Sequence, residues 1–171
     1  MNLDERVRLI EVFVMDVDGT LTDGAMFYSV RGEELKRFNT RDGMGINLLR
    51  RGQIRPAIIT AEQSEIVLKR AQKLQIEDVI LGSHDKTAAL NELSARLSIP
   101  LNRMAYIGDD VNDIHVMKRC GVTACPGDAV AAVKQIADVV CTAFGGNGAV
   151  REFAEFILTR QGKAITLSEN W

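Results

Sequence analysis

Ile10-Glu11-Val12-Phe13-Val14-Met15-Asp16-Val17-Asp18-Gly19-Thr20 is the stretch that decides the fold of this chain. Residues 10–15 are apolar except for Glu11, and the run stops at an aspartate. A short apolar run that ends in an acidic, Gly-containing turn reads as a strand buried on both faces. Similar runs follow at 55–60, 78–81 and 104–107, with weaker ones at 122–124 and 139–141. Helical spacing of apolar residues occupies 45–51, 64–74, 86–97, 110–118, 129–136 and 149–158. Short buried strands alternating with helices predict an α/β fold, a parallel sheet flanked by helices and joined by right-handed crossovers.

One segment breaks this rhythm. Two short β-rich runs around Val30-Arg31-Gly32, spanning about 25–38, read as a β-hairpin flap. The last residues, 162–171, carry no periodic pattern and are expected to order only by docking. The chain of 171 residues is expected to form one domain, long enough to bury a core. Its net charge of −2 gives no support for a nucleic-acid or anionic-membrane partner. No apolar run approaches the length of a spanning helix. The acidic start, Met1 to Arg6, does not resemble a signal peptide. Cys120, Cys125 and Cys141 lack a paired spacing and have only His84 and His115 beside them, which argues against zinc. They read as small core residues in a reducing cytoplasm.

Ligands of such sheets sit beyond the carboxyl ends of the strands. Asp16 ends the first strand, Thr60 ends the second run, and Asp109 follows the run at 104–107. With Lys86 at the start of a helix, these residues converge on phosphoryl transfer. Asp16 supplies a nucleophile, splitting hydrolysis into two displacements. Asp18 protonates the leaving alcohol and then deprotonates water. Asp16 and Asp109, with the backbone carbonyl of Asp18, make an oxygen site for Mg²⁺. Asp110 and Asp113 hold Asp109 and Lys86 in place. Lys86 offsets the charge of nucleophile and phosphate, and Thr60 hydrogen-bonds a phosphoryl oxygen. A calcium loop is excluded, because the sixth and twelfth positions from Asp16 are Leu21 and Phe27. Gly145-Gly146-Asn147-Gly148 lacks dinucleotide-loop spacing and reads as a turn before a helix.

These four motifs, in this order, resemble the haloacid dehalogenase-like superfamily. The resemblance covers nearly the whole chain and implies a Rossmann-like core, with the second aspartate marking a phosphatase. No gap between motifs has room for a cap domain. A capless site is closed by a macromolecular substrate or by a neighbouring subunit, and apolar Met26, Phe27 and Tyr28 favour the subunit.

Among capless members the chain resembles the 3-deoxy-2-ulosonate phosphatases, the family acting on 3-deoxy-D-manno-octulosonate (Kdo) 8-phosphate. The residues that carry this are 16–24, Asp42-Gly43-Met44-Gly45-Ile46, 105–110 and 145–152. The resemblance implies Mg²⁺, a sugar-phosphate substrate, and a cytoplasmic homotetramer whose hairpins and tails close neighbouring sites. It implies substrate contacts at Thr60, Ala61, Glu62, Lys73, Asp42 and Gly43. One departure stands out. Octulosonate-type members carry Gly-Arg after the motif threonine, where this chain has Ala61-Glu62. Glu62 with Lys73 resembles the branch acting on nine-carbon ulosonate 9-phosphates; Glu62 is equally a helix N-terminal acid. A phosphatase of macromolecules and a non-catalytic tetramerising module are the remaining alternatives.

Overall fold

The computed structural model describes residues 1–167. In chain order the elements are α1 (Leu3–Arg8), β1 (Val12–Met15), β2 (Phe27–Ser29), β3 (Gly32–Leu35), α2 (Thr40–Arg51), β4 (Arg55–Ile59), α3 (Glu65–Leu74), β5 (Asp78–Ile80), α4 (Lys86–Leu97), β6 (Met104–Ile107), α5 (Ile114–Met117), β7 (Val122–Cys125), α6 (Ala131–Lys134), β8 (Val139–Val140) and α7 (Ala149–Arg160). Six strands form one parallel sheet in the order β5-β4-β1-β6-β7-β8. The chain builds outward from β1 to one edge and then returns to build the other. The strand order therefore reverses beside β1, and a crevice opens at the carboxyl ends of β4, β1 and β6.

The alternation of β1 shows why the stretch is a central strand. Val12 and Val14 face one layer with Leu90, Leu93 and Tyr106. Phe13 and Met15 face the other with Ile46, Leu49, Phe153 and Ile157. All four are fully buried, each contributing about 1.5–3 kcal/mol of apolar burial. Phe13 meets Phe153 of α7 with ring centroids 5.1 Å apart.

Several boundaries differ from the sequence pattern, each for a physical reason. Helix α2 begins at Thr40, with Asn39 accepting from the Arg41 N–H as its cap. Gly43 and Gly45, poor helix formers, hide this first turn from a periodicity reading. The structure needs them small: a Cβ on Gly45 would sit 2.9 Å from the Arg151 backbone of α7. Helix α1 is too short to show periodicity and rests on a capping box between Asn2 and Glu5. The helix expected at 110–118 is a 3₁₀ turn, Val111–Asp113, followed by α5. The one at 129–136 shrinks to α6.

The hairpin is β2 and β3, antiparallel, with Met26, Phe27, Tyr28, Val30 and Leu35 exposed. After α7 the chain leaves helix; Leu167 packs against the core. The part of the expected tail at 168–171 lies outside the described residues. No helix among the described residues is long and apolar enough to cross a membrane.

Candidate active site

At the carboxyl end of β1 the ladder continues one residue further, through Asp16 N–H to the Ile107 carbonyl at 3.0 Å. The Asp16 carboxylate is thereby fixed beside β6. Lys86, first residue of α4, reaches it with Nζ 2.9 Å from Oδ1 and donates to Asp113 Oδ1 at 2.7 Å. Both lysine contacts are buried. The Tyr106 hydroxyl also donates to Asp113 Oδ1, at 2.7 Å. The other Asp113 oxygen accepts the Asp109 N–H at 3.0 Å. Asp109 itself is aimed by the Thr20 hydroxyl, which donates to its Oδ1 at 3.0 Å. Gly19 permits that approach twice over. Its φ of +85° suits glycine, and a Cβ there would lie 2.1 Å from Asp109 Oδ2. A cleft of about 170 Å³ gathers Asp16, Asp18, Thr60, Ala61, Glu62, Asp109, Asp110 and Asn112.

Carboxylate oxygens of Asp16, Asp109 and Asp113 lie within 4.8 Å of one another. Asp113 is already committed to Lys86, Tyr106 and a backbone amide, so the donors left for an ion are Asp16 and Asp109. Hard oxygen donors with open positions suit a divalent cation that keeps water and phosphate ligands. The electrostatics agree. Burial, reinforced by Asp113 and opposed by Lys86, pushes Asp16 up to about 7. Burial, with Asp113 and Asp110 adding to it against the Thr20 hydrogen bond, pushes Asp109 up to about 7. Burial opposes the charge of Lys86, but Asp16 and Asp113 outweigh it and raise its pKa.

Both aspartates thus bind protons more readily folded than unfolded. Their contribution to metal-free stability is fully present below about pH 4 and is lost as pH rises through about 7. Mg²⁺ competes with these protons. Affinity measured by calorimetry is expected to be roughly 10- to 100-fold weaker at pH 6 than at pH 8. The rise in Tm on adding Mg²⁺ should be correspondingly larger at pH 8. Affinity independent of pH over this range would contradict the assignment of these two ligands.

The sequence expectations meet the structure unevenly. Asp16, Asp18, Thr60, Ala61, Glu62 and Asp109 share the cleft. Lys86 and Asp113 stand directly behind it. Asp110 lines the cleft but caps the following turn through Val111 N–H, and it hydrogen-bonds neither Asp109 nor Lys86. Asp42 is buried elsewhere. Its oxygens accept from the backbone N–H groups of Gly148 and Arg151, which ties α2 to the start of α7, and the side chain does not line the cleft. Gly43 is buried against Arg70 and Leu74. Lys73 is exposed near the end of α3, in a separate groove of about 400 Å³ with Arg50 and Arg70. These three positions therefore do not meet the cleft within one chain.

Other groups were not singled out from sequence. Thr20 and Tyr106 lie within residues 16–24 and 105–110, yet only the folded geometry shows their hydroxyls aimed at Asp109 and Asp113. Lys36 of the hairpin ion-pairs with Asp18 at 2.6 Å, and no local pattern separates it from the neighbouring surface charges. Gly145 is more than a turn residue: its Cβ would collide with the Gly19 carbonyl, so this turn braces the Asp16 loop.

Acidic loops at the ends of β1 and β6, with a buried lysine entering from α4, are the layout of a haloacid dehalogenase-like hydrolase. A family profile of that description matches residues 47–152. A 3-deoxy-D-manno-octulosonate 8-phosphate phosphatase of Haemophilus influenzae is 36% identical over 95% of this chain and 90% of its own length. The enzyme of that name from Escherichia coli K12 is 39% identical over 93% of this chain and 83% of its own. The Moraxella catarrhalis enzyme, solved with magnesium, phosphate and Kdo, superposes with a TM-score of 0.90 at 39% identity, covering 94% of this chain and 92% of that one. The cobalt-bound Haemophilus influenzae structure gives 0.90 at 36% identity, covering 92% of each chain. The chain belongs to the haloacid dehalogenase-like hydrolases and, within them, to the family of these phosphatases.

Proposed function

We propose that the chain is a Mg²⁺-dependent phosphatase of a 3-deoxy-2-ulosonic acid phosphate, working through a phosphoryl group carried on Asp16. The observation that carries the reading is the convergence of Asp16, Asp18, Thr60 and Asp109 on one cleft backed by Lys86. An Asp16 carboxylate oxygen attacks phosphorus, and the bond from phosphorus to the sugar oxygen breaks. Asp18 gives the departing oxygen its proton. In the second half Asp18 takes a proton from water, the water oxygen attacks phosphorus, and Asp16 is released with inorganic phosphate. The Lys86 ammonium, 2.9 Å from Asp16, balances the negative charge that gathers there. Thr60 holds a phosphoryl oxygen. A divalent ion on Asp16, Asp109 and the Asp18 carbonyl would screen the repulsion between nucleophile and phosphate.

The exposed apolar hairpin supports a homotetramer whose hairpins and tails cover neighbouring sites. The free thiols Cys120, Cys125 and Cys141 suit a cytoplasmic setting.

A nine-carbon substrate is the second reading, and one observation keeps it beside the octulosonate. Glu62 lines the cleft, where a carboxylate would repel an ulosonate unless a cation answers it. Lys73 is too far round its own chain, so in this reading a neighbouring subunit supplies it. Phosphate release with Mg²⁺ from octulosonate 8-phosphate, nonulosonate 9-phosphates and hexose phosphates tests both readings. An ulosonate should be turned over at least about tenfold faster than hexose phosphates, and equal rates on all three would remove the ulosonate assignment. Glu62→Arg should move the ratio of eight- to nine-carbon rates by about tenfold or more towards the octulosonate. An unchanged ratio would show that this position does not read the substrate.

A further inference from the structure

The Lys36 side chain is a buried cation at the end of a hairpin whose apolar side chains are exposed. It is 1% exposed, and Nζ donates to Asp18 Oδ1 at 2.6 Å. The same nitrogen lies 2.6 Å from Glu33 Oε1. The second Glu33 oxygen accepts from the Ser64 hydroxyl at 3.0 Å. Ser64 is the N-cap residue of α3, yet its hydroxyl makes no capping bond to that helix. A group that ordinarily stabilises a helix start is spent instead on the hairpin. The four side chains join three segments: the loop after β1, which lines the cleft through Asp18, the hairpin, and the start of α3 just beyond the cleft-lining Thr60-Ala61-Glu62.

Securing a flap does not require this arrangement. Desolvating one ammonium and two carboxylates is costly, and a packed apolar contact would hold the hairpin as well. What the ion pair adds is direction. Among the described residues, Lys36 is the one group that hydrogen-bonds the Asp18 carboxylate, and Asp18 Oδ2 has no partner at all. Packing encloses Oδ2 without giving it a partner, so the Lys36 ammonium supplies the directional contact of this carboxylate among the described residues.

We infer that Lys36, held by Glu33 and Ser64, is a positioning residue that orients Asp18 for proton transfer to the leaving oxygen. The inference rests on the proposed acid/base role of Asp18. The hairpin then does more than present an exposed apolar face: its buried lysine aims the acid. Displacing the hairpin would misalign proton transfer without touching the nucleophile.

Leaving-group dependence separates orientation from general damage. A sugar alkoxide needs a proton to depart, whereas p-nitrophenolate leaves without one. Only the first half-reaction depends on the leaving group, so it is read as single-turnover release with enzyme in excess. Lys36→Met should slow release of the sugar from the preferred sugar phosphate by about 10²-fold, and release of p-nitrophenolate by about fivefold or less. Asp18→Asn should show the same split, and adding Lys36→Met to it should not widen the split further. Equal losses on both substrates, or no loss on the sugar phosphate, would overturn the role of Lys36. An Asp18→Asn variant without the split would instead overturn the acid/base reading of Asp18. If Lys36→Met does not fold, Lys36→Arg keeps the charge but moves the donor. It should still show the split by about tenfold, and an even loss on both substrates would overturn the inference.

Discussion

Asp16→Asn is expected to lower phosphate release by about 10⁴-fold or more while leaving the fold and the assembly intact. The amide has the shape of the carboxylate but no charge with which to attack phosphorus. The surroundings tolerate the exchange, because Lys86 keeps its 2.7 Å contact with Asp113. Stability should respond in the opposite direction from activity. Burial raises the Asp16 pKa to about 7, so its ionised form is a cost to the metal-free fold at pH 8. A neutral amide removes that cost, and the metal-free variant should melt at the same temperature as the parent or higher. The parent thus gives up stability to keep a reactive anion on a buried side chain at the foot of the cleft. Steady-state phosphate release, thermal melts and size-exclusion chromatography measure the three quantities. Turnover within tenfold of the parent would refute Asp16 as the nucleophile.

The parts of this protein that read well from sequence are those whose physics is local. β1 announces itself because a central strand of a parallel sheet must be apolar on both faces, and Val12 to Met15 are. Lys86–Leu97 and Met104–Ile107 sit where the periodicity puts them, bounded by an Asp85 cap and by Gly108. Asp16, Thr60 and Asp109 could be placed together because topology sends the ends of β1, β4 and β6 to one crevice. What escaped reading depends on contacts between distant residues. Asp42 looks like a binding residue in an Asp-Gly-Met-Gly run, yet its partners are amides of α7 more than a hundred positions away. Lys73 lies three helical turns beyond Glu62, and only the direction of α3 shows that it leaves the cleft. Lys36 and Glu33 resemble ordinary hairpin charges until folding sets the Lys36 ammonium between Glu33 and Asp18.

Lys86→Met should damage stability as well as turnover, with the stability loss dependent on pH. In the folded chain Nζ is shared between Asp16 at 2.9 Å and Asp113 at 2.7 Å, with all three side chains buried. Removing the cation leaves two carboxylates facing each other with little water, and a broken buried pair typically costs about 3–5 kcal/mol. For a chain of this size that is a fall in Tm of roughly 10 °C at pH 8. The Tyr106 hydroxyl, which burial and Asp113 keep protonated, still serves Asp113, but a neutral donor does not replace a charge. The penalty should shrink at pH 5, because Asp16 without its lysine takes up a proton even more readily and the repulsion disappears. Mg²⁺ should restore part of the loss at pH 8, since a cation on Asp16 and Asp109 answers one of the stranded charges. Turnover should still fall by about 10²-fold or more with metal present, because the ion cannot stand where the ammonium stood behind the nucleophile. A Lys86→Met protein whose melting temperature matches the parent at both pH values would show that this buried triad does not carry the charge balance of the site.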